Sequence, residues 1–283
     1  MHEVSSYVGY DGLKMHMQEW GPDEKPCKAV VLAIHGMTMH SGQMKQIGEF
    51  LSNQDICVEA PDMRGFGHFQ GIKGHVDDYE EFLLDLHSLL EQVKERYPNE
   101  QIYMLGHSLG GLHTINFALQ YPRAVDGIIL SAPAVTESAK ISNAKRVVAR
   151  LISIINLKKH FDAGIYAEDM AKDPDVVESI RQDPLRFKFM TARFGISVQN
   201  AMKHAASSGS KIEVPVLLLQ GGEDKLVDPL KTKEFFESLV VEDKTWKYYE
   251  GFYHTLPQLK GNENVLQDIL EWINVHVSTS EGP

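Results

Sequence analysis

The chain has 283 residues, 43% of them hydrophobic, and 28 basic against 39 acidic residues give a formal net charge of −11. This length and apolar content are enough for one large soluble enzyme domain with an insertion. The acidic balance argues against nucleic acid as a partner and against electrostatic adhesion to anionic lipid. No apolar run approaches the ~20 residues that a membrane-spanning helix requires.

The cysteines and the N-terminus bear on where the protein works. Cys27 and Cys57 make no disulfide framework, which favours a reducing compartment. The first six residues lack the basic and apolar regions of a signal peptide. We therefore expect a cytoplasmic protein, with peripheral membrane association as an open alternative.

The first half of the chain alternates between strand and helix patterns. Two strands, over 7–10 and 13–20, flank Asp11-Gly12, which is a strong hairpin signal. The elements predicted after this hairpin are strands over 29–34, 56–60, 101–105 and 127–132 and helices over 43–53, 77–97 and 109–121. Such alternation is typical of a mostly parallel sheet with helices on both faces.

Between residues 133 and 211 the alternation stops, and helical patterns with short turns replace it. We predict a core domain formed by residues 1–132 and 212–283, with residues 133–211 inserted as a helical cap, or lid. The cap contains an unusually apolar stretch, made of Val147, Val148, Leu151, Ile152, Ile154, Ile155 and Leu157. We expect these residues to pack the cap onto the sheet, while an acyl pocket or peripheral membrane contact through the cap are the alternatives.

The strongest signal for chemistry is Gly106-His107-Ser108-Leu109-Gly110-Gly111, which lies between a predicted strand and a predicted helix. A serine in Gly-x-Ser-x-Gly at such a corner is a nucleophile elbow. Ser108 must adopt a strained backbone there, and only neighbours without side chains allow the sharp turn. The alternative is a small-residue turn that merely packs a helix close to a strand.

A nucleophilic serine needs a base and an acid that orients the base. Downstream strands over 214–220 and 244–249 run into loops that hold Asp224 and His254, and the chain order nucleophile, acid, base is the one this architecture uses. Glu223 and Asp228 are rival acids, but Asp228 precedes Pro229 and a predicted helix, as an N-cap does. We predict Ser108 as nucleophile, His254 as base and Asp224 as the acid.

Charge that develops on the substrate's carbonyl oxygen needs hydrogen-bond donors already in place. The backbone N–H of Leu109, directly after the nucleophile, is one predicted donor. The second is the N–H of Met37, in the His35-Gly36 loop that follows the strand over 29–34. The other histidines show no metal-ligand spacing, and neither a metal ion nor an organic cofactor is required.

Together these segments resemble the α/β-hydrolase superfamily and, within it, the monoglyceride lipase and lysophospholipase-like serine hydrolases. The resemblance extends over roughly residues 7–277. Its segments are His35-Gly36, Asp62-x-Arg64-Gly65-x-Gly67, the elbow at 106–111, Asp183-Pro184-Leu185, Leu218-Leu219-Gln220-Gly221-x-x-Asp224 and Tyr249-Glu250-Gly251-x-Tyr253-His254.

This resemblance implies an α/β-hydrolase fold with a helical lid insertion and the same five site residues. It also implies a lipid ester as substrate, most specifically a long-chain monoacylglycerol that is cleaved to fatty acid and glycerol. The chain departs from its relatives at Met39, Phe66 and Phe69, where they carry a glutamate, a histidine and a serine. Short-chain carboxylesterase, thioesterase and proline-type aminopeptidase activities share this machinery, and a hydrolase-fold receptor is the non-enzymatic alternative.

Overall fold

Eight of the ten strands found among the described residues form one sheet. The computed structural model describes residues 1–22, 26–136, 152–257 and 262–277. The strands are β1 (His2–Val8), β2 (Lys14–Trp20), β3 (Ala29–Ile34), β4 (Ile56–Pro61), β5 (Gln101–His107), β6 (Gly127–Ser131), β7 (His160–Asp162), β8 (Phe189–Thr191), β9 (Val216–Gly221) and β10 (Lys244–Tyr249). The large sheet has the order β1-β2-β4-β3-β5-β6-β9-β10, and β7 pairs with β8 apart from it.

The α-helices of the described ranges lie mostly between these strands in the chain. They are α1 (Lys45–Ser52), α2 (Glu80–Arg96), α3 (Leu109–Gln120), α4 (Ala167–Met170), α5 (Pro174–Gln182), α6 (Ala192–Ser208), α7 (Pro229–Ser238) and α8 (Glu263–His276). Short 3₁₀ turns cover Ser41–Met44 and Gly209–Lys211.

The central strands are buried on both faces, which explains their continuous apolar sequences. In β3, Val30, Leu32 and Ile34 belong to one core cluster. The alternate residues Val31 and Ala33 belong to a second cluster on the opposite face. All of β3, β4, β6 and β9 is buried.

In the large sheet, parallel pairing joins β4, β3, β5, β6, β9 and β10 in that order. β1 is antiparallel to β2, and β2 is antiparallel to β4. Parallel pairing brings the carboxyl ends of β3, β5, β9 and β10 to one edge, where α/β sheets carry their ligands. The predicted α/β-hydrolase fold with a mostly parallel sheet is confirmed. The loops that follow these four strands are the ones that carry the predicted site residues.

Two elements at the chain's ends differ from the predictions. β1 begins at His2 rather than near residue 7, because this edge strand is mostly exposed and lacks a clear apolar alternation. The C-terminal helix α8 was not predicted. It buries an apolar face that includes Val265, Ile269 and Ile273 in the second core cluster.

Residues 133–211 lie between β6 and β9 in the chain. Their division into a separate cap remains a prediction. The described part contains α4, α5 and α6 and also the β7–β8 pair, whose three-residue strands are too short to show a period.

The prediction that the apolar stretch of this insertion packs inward is wrong at three positions. Ile154 and Ile155 are 74% and 72% exposed, and Leu157 is also exposed. Val147, Val148 and Leu151 lie outside the described residues. Alternation and helical periodicity report which residues are apolar, but not whether a partner surface covers them.

Cys27 and Cys57 are joined by a disulfide, with their Cα atoms 5.7 Å apart. The prediction drawn from the cysteine count is therefore wrong, and the argument for a reducing compartment loses its basis. Cys57 lies in β4 and pairs with Val30 of β3, shortly after Cys27, so the sheet brings together cysteines that are distant in sequence. Within the described ranges, no helix has the combined length and apolarity needed to cross a bilayer.

Candidate active site

Ser108 lies at the junction of β5 and α3 with φ 53° and ψ −114°, a backbone conformation that costs free energy in any non-glycine residue. The glycines on either side make the corner possible. A Cβ on Gly110 would overlap the carbonyl oxygen of Ile34, and one on Gly106 would overlap the backbone of Gly110. The predicted strand–turn–helix corner is therefore present, with Ser108 at its tip.

Asp224 and His254 are hydrogen-bonded to each other. His254 Nδ1 donates to Asp224 Oδ2 at 2.7 Å, and the two side chains are only 2% and 0% exposed. Oδ1 of Asp224 accepts the backbone N–H groups of Leu226 and Val227 at 2.8 and 2.9 Å.

These contacts keep the carboxyl of Asp224 ionised. Burial by itself raises the pKa of the Asp224 carboxyl, but the charge and hydrogen bond of His254 and the two amides outweigh it and lower that pKa. An ionised carboxylate accepts the proton on Nδ1 of His254. The tautomer that results leaves Nε2 with a free lone pair, as a general base requires.

The two rival acids have other contacts. Asp228 accepts the backbone N–H of Leu230 at 2.9 Å and caps α7, with Pro229 in the first helical turn. Glu223 is half exposed and forms an ion pair with Lys172 at 3.8 Å. Of these three carboxylates, the structure therefore brings Asp224 to His254.

Ser108, His254, Met37 and Leu109 line one cavity of about 210 Å³. Its walls are mostly apolar, and five methionines are among the described lining residues: Met37, Met39, Met170, Met190 and Met202. Methionine side chains are unbranched and adaptable, so such a wall accommodates apolar ligands of different shape.

The two predicted oxyanion donors, Met37 and Leu109, line the same cavity as Ser108. Leu109 is the first residue of α3, and its N–H has no acceptor within the helix. The loop that holds Met37 packs closely on the elbow, since a Cβ on Gly36 would come 3.1 Å from Ser108 Cβ. The role of the two N–H groups as donors remains a prediction.

His35 fixes this loop through two hydrogen bonds of its ring. Its Nδ1 donates to the carbonyl of Gly36 at 2.8 Å, and its Nε2 accepts the N–H of Met63 at 2.9 Å. Complete burial lowers the pKa of His35 to about 4, so the neutral ring that these two bonds require prevails at neutral pH.

His107 is a site residue to which the sequence analysis assigned no role. It is buried, lines the cavity, and its ring lies 4.8 Å from that of His254. Burial, reinforced by the nearby His254, lowers its pKa well below the usual range, so it is neutral. The only sequence signal is its position directly before Ser108 in the elbow.

A separate cluster, outside the described lining of this cavity, brings together His16, Asp62 and His68. These are residue types that hold transition metals. The sequence shows no metal-ligand spacing for this cluster, because His16 lies in β2, far from Asp62 and His68 in the chain.

The chain is similar to known proteins over nearly its full length. A family model described as serine aminopeptidase, S33 (Hydrolase_4) matches residues 25–258. The chain is 28% identical to mouse monoglyceride lipase, over 98% of this chain and 92% of that relative. It is 27% identical to a monoacylglycerol lipase of Mycolicibacterium smegmatis, over 96% of this chain and 97% of that relative.

A solved structure of a monoacylglycerol lipase is also similar to this chain. The monoacylglycerol lipase of Paleococcus ferrophilus superposes with a TM-score of 0.85 at 29% identity, covering 93% of this chain and all of that one. The predicted resemblance is confirmed. The chain belongs to the serine aminopeptidase S33 (Hydrolase_4) family of α/β-hydrolases, and it is an enzyme of the carboxylic ester hydrolase class.

Proposed function

We propose that this protein hydrolyses a monoacylglycerol to a free fatty acid and glycerol, through an acyl-enzyme formed on Ser108. The observation that carries the proposal is the hydrogen-bonded Asp224–His254 pair on the same apolar cavity as the strained Ser108. The likeness over nearly the full length to two monoacylglycerol lipases supports the choice of substrate.

The chemistry follows from the positions of these groups. Nε2 of His254 takes the hydroxyl proton of Ser108 as its oxygen attacks the ester carbonyl. His254 then donates that proton to the departing alcohol, here glycerol, and the acyl group remains on Ser108. A water molecule, deprotonated in turn by His254, attacks the acyl-enzyme and releases the fatty acid.

Three groups stabilise the charges that develop. The N–H groups of Met37 and Leu109 receive the negative carbonyl oxygen of the tetrahedral intermediate. Asp224 stabilises the imidazolium of His254 and is itself held by the amides of Leu226 and Val227.

The cavity supports an acyl chain as the group that is bound. Its volume of about 210 Å³ lies below the range of about 300–1,000 Å³ typical of ligand pockets. The methionine side chains therefore have to move to admit a long chain, and their flexibility permits this. We expect an optimum at medium or long acyl chains with a broad tolerance of length.

The test is a series of hydrolysis rates for 1-monoacylglycerols and p-nitrophenyl esters across acyl lengths. Ser108→Ala is expected to lower kcat/KM by about 10³-fold or more, since the nucleophile is lost. Ser207→Ala, an exposed serine on α6, serves as the matched control and is expected to keep the wild-type rate.

Other outcomes identify other functions. Activity limited to acetyl and butyryl esters would make the protein a short-chain carboxylesterase, and a preference for acyl thioesters would make it a thioesterase. Cleavage of peptides with a free amino terminus would match the family's description as aminopeptidases. Absence of any Ser108-dependent turnover would contradict the proposal and favour a ligand receptor.

We further propose that the insertion contacts lipid at its exposed apolar residues. Large apolar side chains are exposed at Ile154, Ile155, Leu157, Phe161, Tyr166 and Phe189. Isolated exposed apolar residues are ordinary, but a concentration within one segment is typical of an interaction surface. Lipid contact there would place the cavity, whose wall includes Met190 next to Phe189, close to its substrate.

A further inference from the structure

The cluster of His16, Asp62 and His68 lies where β2 meets the loop after β4. The N–H of Asp62 donates to the carbonyl oxygen of His16 at 2.9 Å, so the sheet holds these two residues side by side. His68 returns to the same place, because its N–H donates to Asp62 Oδ2 at 2.6 Å. One side-chain nitrogen of each histidine and one carboxylate oxygen lie within 4.8 Å of one another.

The side chain of His16 has an unsatisfied buried atom, which indicates that a ligand binds there. Its Nε2 is buried and, among the residues that the structure describes, it has no hydrogen-bond partner. A buried nitrogen without a partner costs free energy, which a bound ligand would recover. The ring centres of His16 and His68 lie 4.1 Å apart, so the two side chains are in direct contact.

The carboxylate of the cluster is held in place by backbone hydrogen bonds. Asp62 is buried, and its Oδ2 accepts the N–H of His68 at 2.6 Å. Its Oδ1 accepts the N–H of Ser41 at 2.7 Å, which fixes its orientation.

The two imidazoles are suited to bind a cation. Nε2 of His16 has no hydrogen-bond partner among the described residues and can bind an ion directly. Nδ1 of His68 lies 2.9 Å from Asp62 Oδ2, and a metal ion bound by both atoms would displace the proton that they share.

Solvent access and a neighbouring positive charge also affect the binding of a cation at this cluster. The side chain of His68 is 43% exposed and opens the cluster to solvent, whereas Asp62 is buried. Lys73 is the competing cation, and its Nζ donates to the carbonyl of Gly67, between Asp62 and His68 in the chain. We expect this neighbouring charge to weaken binding rather than abolish it.

We propose that His16, Asp62 and His68 bind a divalent transition-metal ion, for which Zn²⁺ is the representative. Two imidazoles and one carboxylate are the ligands that zinc accepts, with water completing its coordination. Hard cations such as Mg²⁺ prefer all-oxygen sites and are disfavoured here. The proposal does not depend on ester hydrolysis, because no group of the cluster belongs to the Ser108 site.

The test is calorimetric titration of the whole protein with Zn²⁺ alone, in a buffer that does not chelate metals. The wild type is expected to bind one ion per chain with saturation, and His68→Gln to raise the Kd at least about tenfold. His87→Gln, on α2 outside the cluster, is the matched control and is expected to keep the wild-type Kd. His68 is exposed enough for its variant to fold, and His16→Gln gives a second, independent removal of a ligand.

A spectroscopic measurement identifies the ligands. Co²⁺ in place of Zn²⁺ is expected to give visible d–d bands that His68→Gln and His16→Gln remove and that Ser108→Ala retains. Zinc binding that persists unchanged in both histidine variants would overturn the proposal, for it would place the ion elsewhere, for example on His254. Absence of saturable binding, or equal affinity for Mg²⁺ and Zn²⁺, would overturn it as well.

Discussion

At the scale of single residues, the site depends on which carboxylate meets His254. Asp224 has that contact at 2.7 Å, whereas Asp228 accepts the N–H of Leu230 and caps α7. The two aspartates lie in one loop, where the side chain of Asp224 is buried and Asp228 is exposed. They therefore form a natural pair for separating the effect of the acid from that of the cap.

We expect Asp224→Asn to lower kcat by about 10³–10⁴-fold while the fold is kept. An amide in place of the carboxylate favours the wrong tautomer of His254 and does not stabilise its charged form. The measurement is kcat for the best ester substrate, together with circular dichroism to check folding.

Asp228→Asn is the matched control for this prediction. Asparagine also caps helices well, so the variant is expected to keep both the wild-type kcat and a stability within about 1 kcal/mol. A loss of activity in Asp228→Asn with little change in Asp224→Asn would reverse the assignment of the acid.

At the scale of elements, the exposure of apolar residues in the insertion between β6 and β9 is the largest departure from the sequence-based expectation. Ile154 and Ile155 are nearly three-quarters exposed, in a chain whose central strands are wholly buried. With a net charge of −11, attraction to anionic lipid is disfavoured, so any membrane contact must come from apolar burial.

We therefore expect the protein to sediment with uncharged phosphatidylcholine vesicles and the double variant Ile154→Ser/Ile155→Ser to do so at least about tenfold less. Each isoleucine transferred from water into lipid contributes about 1.5–3 kcal/mol. The control is Leu230→Ser/Val240→Ser, which removes two apolar side chains of similar exposure near α7. Equal loss of sedimentation in both double variants would contradict contact through the insertion.

At the scale of the whole molecule, buried neutral histidines make stability depend on pH. Burial lowers the pKa of His35 to about 4 and that of His113 to about 3, against about 6.5 in the unfolded chain. Below pH 6.5 the unfolded state binds protons that the folded state does not. The stability that these rings contribute is therefore complete above pH 6.5 and is lost as the pH falls toward 4.

We expect the free energy of unfolding in urea to fall by about 1–2 kcal/mol for each such histidine between pH 6.5 and pH 5. In His113→Gln the slope is expected to be smaller by about 1 kcal/mol per pH unit at pH 5–6, because one titrating group is gone. An unchanged slope in this variant would contradict the assignment of His113 as a buried neutral ring.

Much of this fold and site could be predicted from local sequence alone. The elbow around Ser108 needs glycines two positions before and two positions after the serine, and the loops of Asp224 and His254 directly follow apolar strands. These features depend on backbone sterics and on burial of whole strands, which leave a regular trace over a few residues.

What the tertiary structure decided concerns residues that are distant in the chain. The Cys27–Cys57 disulfide, the meeting of His16 with Asp62 and His68, and the exposure of Ile154 and Ile155 all depend on which surfaces the folded sheet brings together. Local periodicity carries no information on such contacts, because strand order and the covering of each face are properties of the assembled fold. The sequence was therefore sufficient for the elbow, the order of the predicted triad and the fold class, while the pairing of remote side chains required the structure.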